Sequence, residues 1–360
     1  MYKIAIRPDW VLRTPAGQAL PPRLVELLVA IRAAGTLAAA CRQRGLSYRY
    51  AWGLLREGER VLGAPLLRST RGRGAQLTAL GERLVWADSR ITARLSPLLD
   101  SLAAELEAEF ERGLSGQAAP LRLQASHGFG VETLRRAMAA ADVPLDLQYR
   151  SPDEALDALR AGTCDLAGLH VPIGGLEGEL LRHYRDRLDP EGDRVIELAM
   201  RRQGLVVAPG NPKGLQALVD LTREGVRFIH RQPGSGTRLL LEALLARDGI
   251  APSAIDARDV EEPTHAAVAA CVASGLADAG FALEPPARLY GLDYVPLATE
   301  RYFFVCRRDT IEAGRLAGLL RTMEDPGFRR ELDRLPGYDG TFCGRVLTLP
   351  QAFASLRDDG

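Results

Sequence analysis

The chain has 360 residues, more than one ordinary hydrophobic core accommodates, so two or three domains are expected. Hydrophobic residues make up 46% and charged residues 26%, which is typical of a globular protein, and no run approaches the roughly 20 apolar residues that a membrane span needs. The formal net charge is zero, so any contact with nucleic acid requires a local excess of basic side chains.

Signals for secretion and for metal binding are missing from the pattern. The first ten residues, MYKIAIRPDW, lack the basic and apolar regions of a secretion signal, so we expect a cytoplasmic protein without membrane contact. The five cysteines stand singly, with no CxxC pair and no histidine at ligand spacing, which predicts buried thiols and no metal site. They are Cys41, Cys164, Cys271, Cys306 and Cys343.

The first elements in the chain predict a helix-turn-helix. Residues 3–13 alternate in a way that favours one or two short strands, and residues 22–34 form an amphipathic helix. Two further helices follow, with Thr36 and Ser47 at their N-cap positions and a glycine-containing turn between them. The last helix begins with exposed-type residues suited to reading a major groove, and we predict DNA contacts from Ser47, Tyr48, Arg49 and Tyr50.

A basic wing is predicted next. Leu66-Leu67 and Gln76-Leu77 favour two strands around the tip RSTRGRG, and residues 36–76 hold eight arginines against two glutamates. Arginines on a glycine-rich loop suit contact with phosphates or a minor groove, so Arg68, Arg71 and Arg73 are the candidates. The alternative is that these arginines are solvated surface without a ligand.

A single long helix is predicted over residues 81–113. Its apolar residues recur at intervals of three, four or seven and form a heptad-like seam: Leu84, Ile91, Leu95, Leu98, Leu102, Leu106 and Phe110. Such a stripe needs a partner, and homodimerisation is preferred because a dimer presents two reading helices to a two-fold DNA site; tetramers stay possible. The alternative is that the helix packs on its own chain.

Beyond a linker near 114–120, short strands alternate with helices, which predicts an α/β domain over residues 120–360. Between the strand VRFIH and a strong helix lies the turn formed by Ser235, Gly236, Thr237 and Arg238. Free backbone N–H groups, hydroxyls and a guanidinium at a helix start form an anion site. The alternative is a plain helix cap.

Further polar residues stand where strands give way to loops or helices, the usual location of ligands in open α/β sheets. The strand LRLQAS ends at Ser126 and His127, His170 ends DLAGLH, and Thr264 and His265 open a helix. A single histidine is more often structural than functional, so each of the three alone carries little weight. Together with the Ser235–Arg238 turn, they form the predicted ligand site.

Two alternative functions stay open. No G-x-S-x-G, no P-loop lysine and no GxGxxG is present, so no catalytic residues are predicted; an enzyme acting on a pterin or phosphorylated substrate needs a base such as His170 or Asp278. A DNA-architectural protein with a degenerate sensor differs by having no ligand that stabilises it.

The stretch TLAAACRQRGLSYRYAWGLLREGERVLGAPLLRSTRGRGAQLTALGERL closely resembles the winged helix-turn-helix of ModE-like and LysR-type regulators. Residues 120–350, most specifically RQPGSGTR, resemble a periplasmic-binding-protein-like domain. The resemblance implies a winged helix-turn-helix domain (1–80), a linker helix that dimerises (81–114) and a two-lobed α/β sensor of type II. Lobe I is expected at about 120–203 and 300–360, and lobe II at about 204–299.

The same resemblance implies a transcriptional regulator that binds double-stranded operator DNA and needs no cofactor beyond a small anionic effector. Molybdate or tungstate is the first expectation for that effector. A small carboxylate such as formate, or a pterin-related metabolite, is the alternative.

Overall fold

The computed structural model describes residues 4–70, 74–114 and 120–353. The chain divides into two compact units: Arg7–Ala93, and Arg94–Gly360 together with Met1–Ile6. We call them the N-terminal unit and the sensor unit. Within the described ranges, no single helix is long and apolar enough to cross a membrane, and one pair of helices meets that test only with a bend of 114° between them.

The N-terminal unit contains the predicted helix-turn-helix and wing. Its elements are α1 (Leu24–Ala34), α2 (Leu37–Arg44), α3 (Tyr48–Leu62), β1 (Leu67–Thr70), β2 (Gly74–Leu77) and the first part of α4 (Ala79–Leu114). The hydroxyls of Thr36 and Ser47 accept hydrogen bonds from the backbone N–H of Ala39 and Tyr50, so both predicted N-caps are confirmed. Antiparallel β1 and β2 form the wing, and its tip at 71–73 lies outside the described residues.

The core of this unit is the apolar face that the helical period of α1 predicts. Leu24, Leu27 and Leu28 are almost fully buried there. Helix α3 approaches α1 so closely that a Cβ at Gly58 would lie 2.3 Å from a methyl carbon of Leu24. A side chain at residue 58 therefore requires the Leu24 side chain to move.

The strand predicted for residues 3–13 is wrong for the described part of that segment. Arg13 forms a single bridge with Ala19, and no longer ladder develops. A strand needs a neighbour for its backbone groups, whereas this segment is fixed by a side chain: the indole N–H of Trp10 donates to Asp88 at 3.0 Å.

The sensor unit is built on one mixed sheet. Its strands are β3 (Leu121–Ala125), β4 (Leu145–Tyr149), β5 (Leu166–Pro172), β6 (Asp193–Val207), β7 (Arg227–Arg231), β8 (Asp256–Glu262), β9 (Ala279–Leu283), β10 (Asp293–Arg307), β11 (Tyr338–Asp339) and β12 (Val346–Thr348). Its helices after α4 are α5 (Phe129–Ala140), α6 (Pro152–Arg160), α7 (Glu177–Tyr184), α8 (Gly236–Arg247), α9 (His265–Ala273), α10 (Glu284–Leu289), α11 (Arg308–Glu312), α12 (Ala317–Glu324), α13 (Pro326–Asp333) and α14 (Leu349–Ala352).

The strand order β4-β3-β5-β10-β6-β9-β7-β8 divides the sheet into two lobes. Lobe I contains the parallel strands β3, β4 and β5, and lobe II contains the parallel strands β7, β8 and β9. The long strands β6 and β10 pair antiparallel with each other and run through both lobes. The predicted crossings near residues 204 and 300 fall within these two strands.

Helix α4 has two different faces after Arg94. One face exposes an apolar stripe of Leu95, Leu98, Leu102, Leu106 and Phe110, with exposed fractions from 37% to 58%. The other face places Ser101 and Ala104 in the interior of the sensor unit. Leu84, which the predicted seam included, packs instead in the core of the N-terminal unit. The helix therefore packs on its own chain along one face and leaves most of the seam exposed.

Candidate functional site

The predicted DNA-reading residues all lie on the surface of the N-terminal unit. The start of α3 exposes four of these side chains: Ser47, Tyr48, Arg49 and Tyr50. The exposed fraction is 51% for Tyr48 and 46% for Tyr50. Arg68 is exposed on the wing strand β1, whereas Arg71 and Arg73 lie outside the described residues. The first turn of α3 therefore presents two phenols and a guanidinium to solvent.

An aromatic row that the sequence reasoning missed continues along α3. Tyr48 packs edge-on against Trp52 with ring centroids 6.2 Å apart, and the guanidinium of Arg56 lies 5.7 Å from the Trp52 ring. The spacing of four residues was the available signal, because residues i and i+4 share one helix face. These contacts stiffen the side chains next to the candidate reading surface.

In the sensor unit, the predicted site residues come from several elements. Ser126 and His127 follow β3 directly, and His265 is the first residue of α9, capped by Thr264. His170 does not end its strand as predicted, because β5 continues to Pro172 through its pairing with β10. The rings of His127, His170 and His265 nevertheless all lie within electrostatic range of one guanidinium, that of Arg231.

Burial and this guanidinium keep the three histidines neutral. Desolvation, then Arg231, lower the pKa of His127 to about 4 and hold the pKa of His265 well below its ordinary value. The pKa of His170 is also lowered, mainly by burial, with the Glu300 carboxylate opposing the change. In the described ranges, no group of three or more His, Cys, Asp or Glu side chains is arranged to hold a metal ion.

A buried polar network on the crossing strands holds the centre of the site. The Arg201 guanidinium and the amide of Gln203 donate to one oxygen of Glu300, the amide at 3.0 Å, and Nδ1 of His170 lies 2.9 Å from the other oxygen. Burial opposes ionisation of Glu300, but Arg201 and His170 outweigh it and hold its carboxyl pKa at about 2. Glu300 is therefore an ionised carboxylate with donors on both oxygens.

Arg231 lies in a different environment. Its Nε–H donates to the carbonyl of Glu262 at 3.1 Å and its Nη2–H to the carbonyl of Pro263 at 2.9 Å, while Nη1 is buried without a hydrogen-bond partner. Burial, reinforced by the positive charge of Arg201, lowers the pKa of Arg231 to about 10, so it stays protonated at neutral pH. This is a buried cation with unused donor capacity.

The Gly-Ser-Gly-Thr-Arg turn lies where predicted, at the start of α8. The Ser235 hydroxyl caps the helix through the N–H of Arg238, and the Thr237 hydroxyl accepts from Gln203 at 3.1 Å. The ring of His170, from lobe I, lies so close to Gly236 that a Cβ there would be 2.4 Å from its Cε1 atom. The guanidinium of Arg238 is engaged by Glu242 at 2.5 Å, with Glu261 at 3.7 Å.

The sequence reasoning found the histidines and the turn but missed three residues of the buried network, Arg201, Gln203 and Glu300, and it also missed Arg231. A signal was present. Polar residues flank the apolar run of β6 and open the apolar run ERYFFVC of β10. A buried charge needs a compensating partner, so such residues in central strands indicate a site.

Two family comparisons match this architecture. Residues 134–324, more than half of the chain, match the PBP superfamily domain. Residues 22–82 match the bacterial regulatory helix-turn-helix protein of the lysR family. The first match covers most of the two-lobed sensor, and the second covers the helix-turn-helix and the wing.

The similarity to known proteins extends over more than half of the chain. YvgK of Bacillus subtilis (strain 168) is 31% identical over 210 residues, which cover 58% of this chain and 67% of that protein. The molybdenum-pterin-binding protein MopB of Rhodobacter capsulatus is 26% identical over 254 residues, which cover 63% of this chain and 88% of that protein. Among solved structures, an H2O2-bound OxyR mutant of Corynebacterium glutamicum aligns at 18% identity and a TM-score of 0.43, covering 84% of this chain and 91% of that one.

Sensor and DNA-binding domains thus each match a family, and the N-terminal family is regulatory. The chain belongs to the PBP superfamily, and its residues 22–82 form a helix-turn-helix domain of the bacterial regulatory lysR family.

Proposed function

We propose that the protein is a ligand-responsive LysR-type transcriptional regulator, and that its effector is a small anion bound between the two sensor lobes. The observation that carries this proposal is the buried Nη1 of Arg231, which has no hydrogen-bond partner; this guanidinium is also within electrostatic range of His127, His170 and His265. A buried charge is costly unless it is paired, so this guanidinium favours an anionic partner. The Glu300 carboxylate is already saturated by Arg201, Gln203 and His170 and does not serve that purpose.

The surrounding groups are mostly hydrogen-bond donors. Nδ1 of His265 accepts from the backbone N–H of Leu283 at 3.2 Å, so the neutral ring carries its proton on Nε2 and donates there. Helices α5, α8 and α9 begin next to the predicted site residues, and the first turn of each supplies backbone N–H groups and a positive dipole end. Ser126, Ser235, Thr237 and Thr264 add hydroxyls. Clustered N–H and O–H donors of this kind suit an oxyanion.

Molybdate or tungstate is our first assignment, because both are tetrahedral oxyanions matched to N–H and O–H donors. The similarity to a protein named as molybdenum-pterin-binding supports it. A small carboxylate such as formate is the second assignment, since guanidinium groups pair well with carboxylates.

DNA recognition follows from the N-terminal unit. We assign major-groove contacts to Ser47, Tyr48, Arg49 and Tyr50, and phosphate contacts to Arg68, Arg71 and Arg73. The exposed stripe of α4 from Leu95 to Phe110 is the proposed homodimer contact, which places two reading helices on one operator. Lobe closure on the anion then alters the dimer through α4, because a ligand shifts an equilibrium toward the state it binds better.

The test is isothermal calorimetry of the full chain with sodium molybdate, sodium tungstate and sodium formate, with sodium chloride as the ionic-strength control. We expect saturable heat from one of the three anions with the wild type and none with Arg231→Gln. A gel-shift titration on DNA upstream of its own coding region, with and without that anion, completes the test. Absence of binding by all three anions contradicts the effector assignment, and absence of any retarded DNA contradicts the operator assignment.

A further inference from the structure

The linker helix α4 contacts both lobes of the sensor. Nε of Arg94 lies 3.4 Å from a carboxylate oxygen of Glu262, the last residue of β8 in lobe II. Two helical turns later, the hydroxyl of Ser101 accepts a hydrogen bond of 3.0 Å from the backbone N–H of Tyr149, the last residue of β4 in lobe I. Residues seven apart lie on the same helix face, separated by about 10 Å along the axis.

Both anchor points adjoin the candidate anion site. Glu262 is the register partner of Arg231 across β7 and β8, and its carbonyl accepts from the Arg231 guanidinium. The ring of Tyr149 packs edge-on against His127 with centroids 4.9 Å apart. Each anchor of α4 is therefore one contact away from a side chain of the site, on opposite lobes.

Both anchors involve buried groups of the sensor. The Glu262 side chain is completely buried and that of Arg94 is 40% exposed, so solvent screens this ion pair less than a pair between two fully exposed side chains. Ser101 is 8% exposed, and its neighbour Ala104 on the same face is 9% exposed, so small side chains allow α4 to pack closely on the sensor. Helix α4 continues without interruption between the anchors, although Pro97, which lies between them, has no N–H to donate to the preceding turn.

We infer that α4 is a strap across the two lobes, and that its docking is coupled to occupancy of the anion site. The helix is continuous from Arg94 to Ser101 and sets their spacing, so Glu262 and Tyr149 satisfy both anchors in the lobe arrangement seen here. Movement of the lobes about β6 and β10 breaks or forms one anchor. Coupling of this kind is reciprocal: the anion changes strap docking, and strap docking changes anion affinity. This second step rests on the proposed anion site.

The strap itself is tested without any anion, by residue-resolved hydrogen exchange on the full chain. Arg94→Ala removes the lobe II anchor, and we expect the Tyr149 amide on lobe I to exchange about tenfold faster or more. Ser101→Ala removes the acceptor of that amide directly and serves as the positive control. Arg83→Ala, an exposed arginine on the same helix in the N-terminal unit, is the matched control and leaves the exchange unchanged. Unaltered protection of Tyr149 in Arg94→Ala overturns the strap.

The coupling is tested with sodium molybdate. In the wild type, saturating molybdate is expected to change exchange at the Tyr149 amide, and Arg94→Ala is expected to change the molybdate Kd by about fivefold. If molybdate binds the wild type and neither quantity changes, the coupling is refuted. If molybdate gives no heat with the wild type, the effector assignment fails instead, and the anion-free exchange experiment still decides whether α4 straps the lobes.

Discussion

The two buried arginines of the site are predicted to respond in opposite ways to the same substitution. The pKa of Arg231 falls from 12.5 to about 10, first through burial and then through Arg201, and each unit corresponds to about 1.4 kcal/mol, so its charge costs about 3 kcal/mol in the ligand-free sensor. Arg231→Met removes that cost and loses the hydrogen bonds to the carbonyls of Glu262 and Pro263, at about 1 kcal/mol each. The free energy of unfolding of the variant is expected to lie within about 1 kcal/mol of the wild-type value.

Arg201→Met has the contrary outcome. It leaves the ionised carboxylate of Glu300 buried without its guanidinium partner, and breaking a buried pair in this way costs about 3–5 kcal/mol. Arg231→Met therefore separates anion binding from folding, whereas Arg201→Met damages the sensor itself.

The assay is calorimetric unfolding of the full chain, read together with tryptophan fluorescence. The three tryptophans of the sequence, Trp10, Trp52 and Trp86, belong to the N-terminal unit, so their emission reports on that unit and serves as an internal control in the same sample. Arg231→Met is not expected to lower the free energy of unfolding by more than about 3 kcal/mol, and Arg201→Met is not expected to keep the wild-type value. Either result would refute the assignment of Glu300 as the partner that compensates Arg201 and not Arg231.

Three further outcomes are expected. Tyr48→Ala and Arg49→Ala each weaken operator binding by about tenfold or more with unchanged circular dichroism, as read by gel shift; undiminished affinity contradicts α3 as the reading helix. Leu98→Glu combined with Leu102→Glu is expected to convert the proposed dimer to a monomer in light-scattering measurements, because negative charges replace apolar side chains of the exposed stripe; a persisting dimer locates the interface elsewhere. Sensor stability falls between pH 6.5 and about 4, because unfolded His127 takes up a proton that the folded state resists. Each histidine that is held neutral adds up to about 1.4 kcal/mol per pH unit to the slope, so His127→Gln reduces the slope by that amount; a pH-independent unfolding midpoint argues against neutral histidines.

Local rules predicted the N-terminal unit well. Apolar residues at helical spacing located α1, hydroxyl side chains located the starts of α2 and α3, and a glycine-rich basic loop between apolar pairs located the wing. The exception is the segment before α1, where alternation suggested a strand. Alternation describes only which side chains face inward, and the partner that a strand requires is a tertiary property.

The sensor unit shows which features cannot be predicted from residues that are neighbours in the sequence. Helix starts carry short-range signals, so the turn at Ser235 and the cap at Thr264 were predictable. Arg231 and Glu300 are brought near each other by the sheet order β10-β6-β9-β7, and no local pattern encodes that order. Whether a given guanidinium is compensated also depends on contacts between distant residues, such as Arg201 with Glu300. The same limit applies to α4, whose sequence shows an apolar seam but not that Ser101 meets Tyr149.

The close approach of His170 to Gly236 has a practical consequence. Because a Cβ at residue 236 would lie 2.4 Å from the imidazole, hydrogen is the largest substituent that this contact admits in the present lobe arrangement. Gly236→Ala is therefore expected to displace the His170 ring of lobe I from the start of α8 in lobe II, without altering a charge or a polar atom. The variant thus tests the fit between the two lobes by one methyl group while every proposed anion donor stays chemically intact.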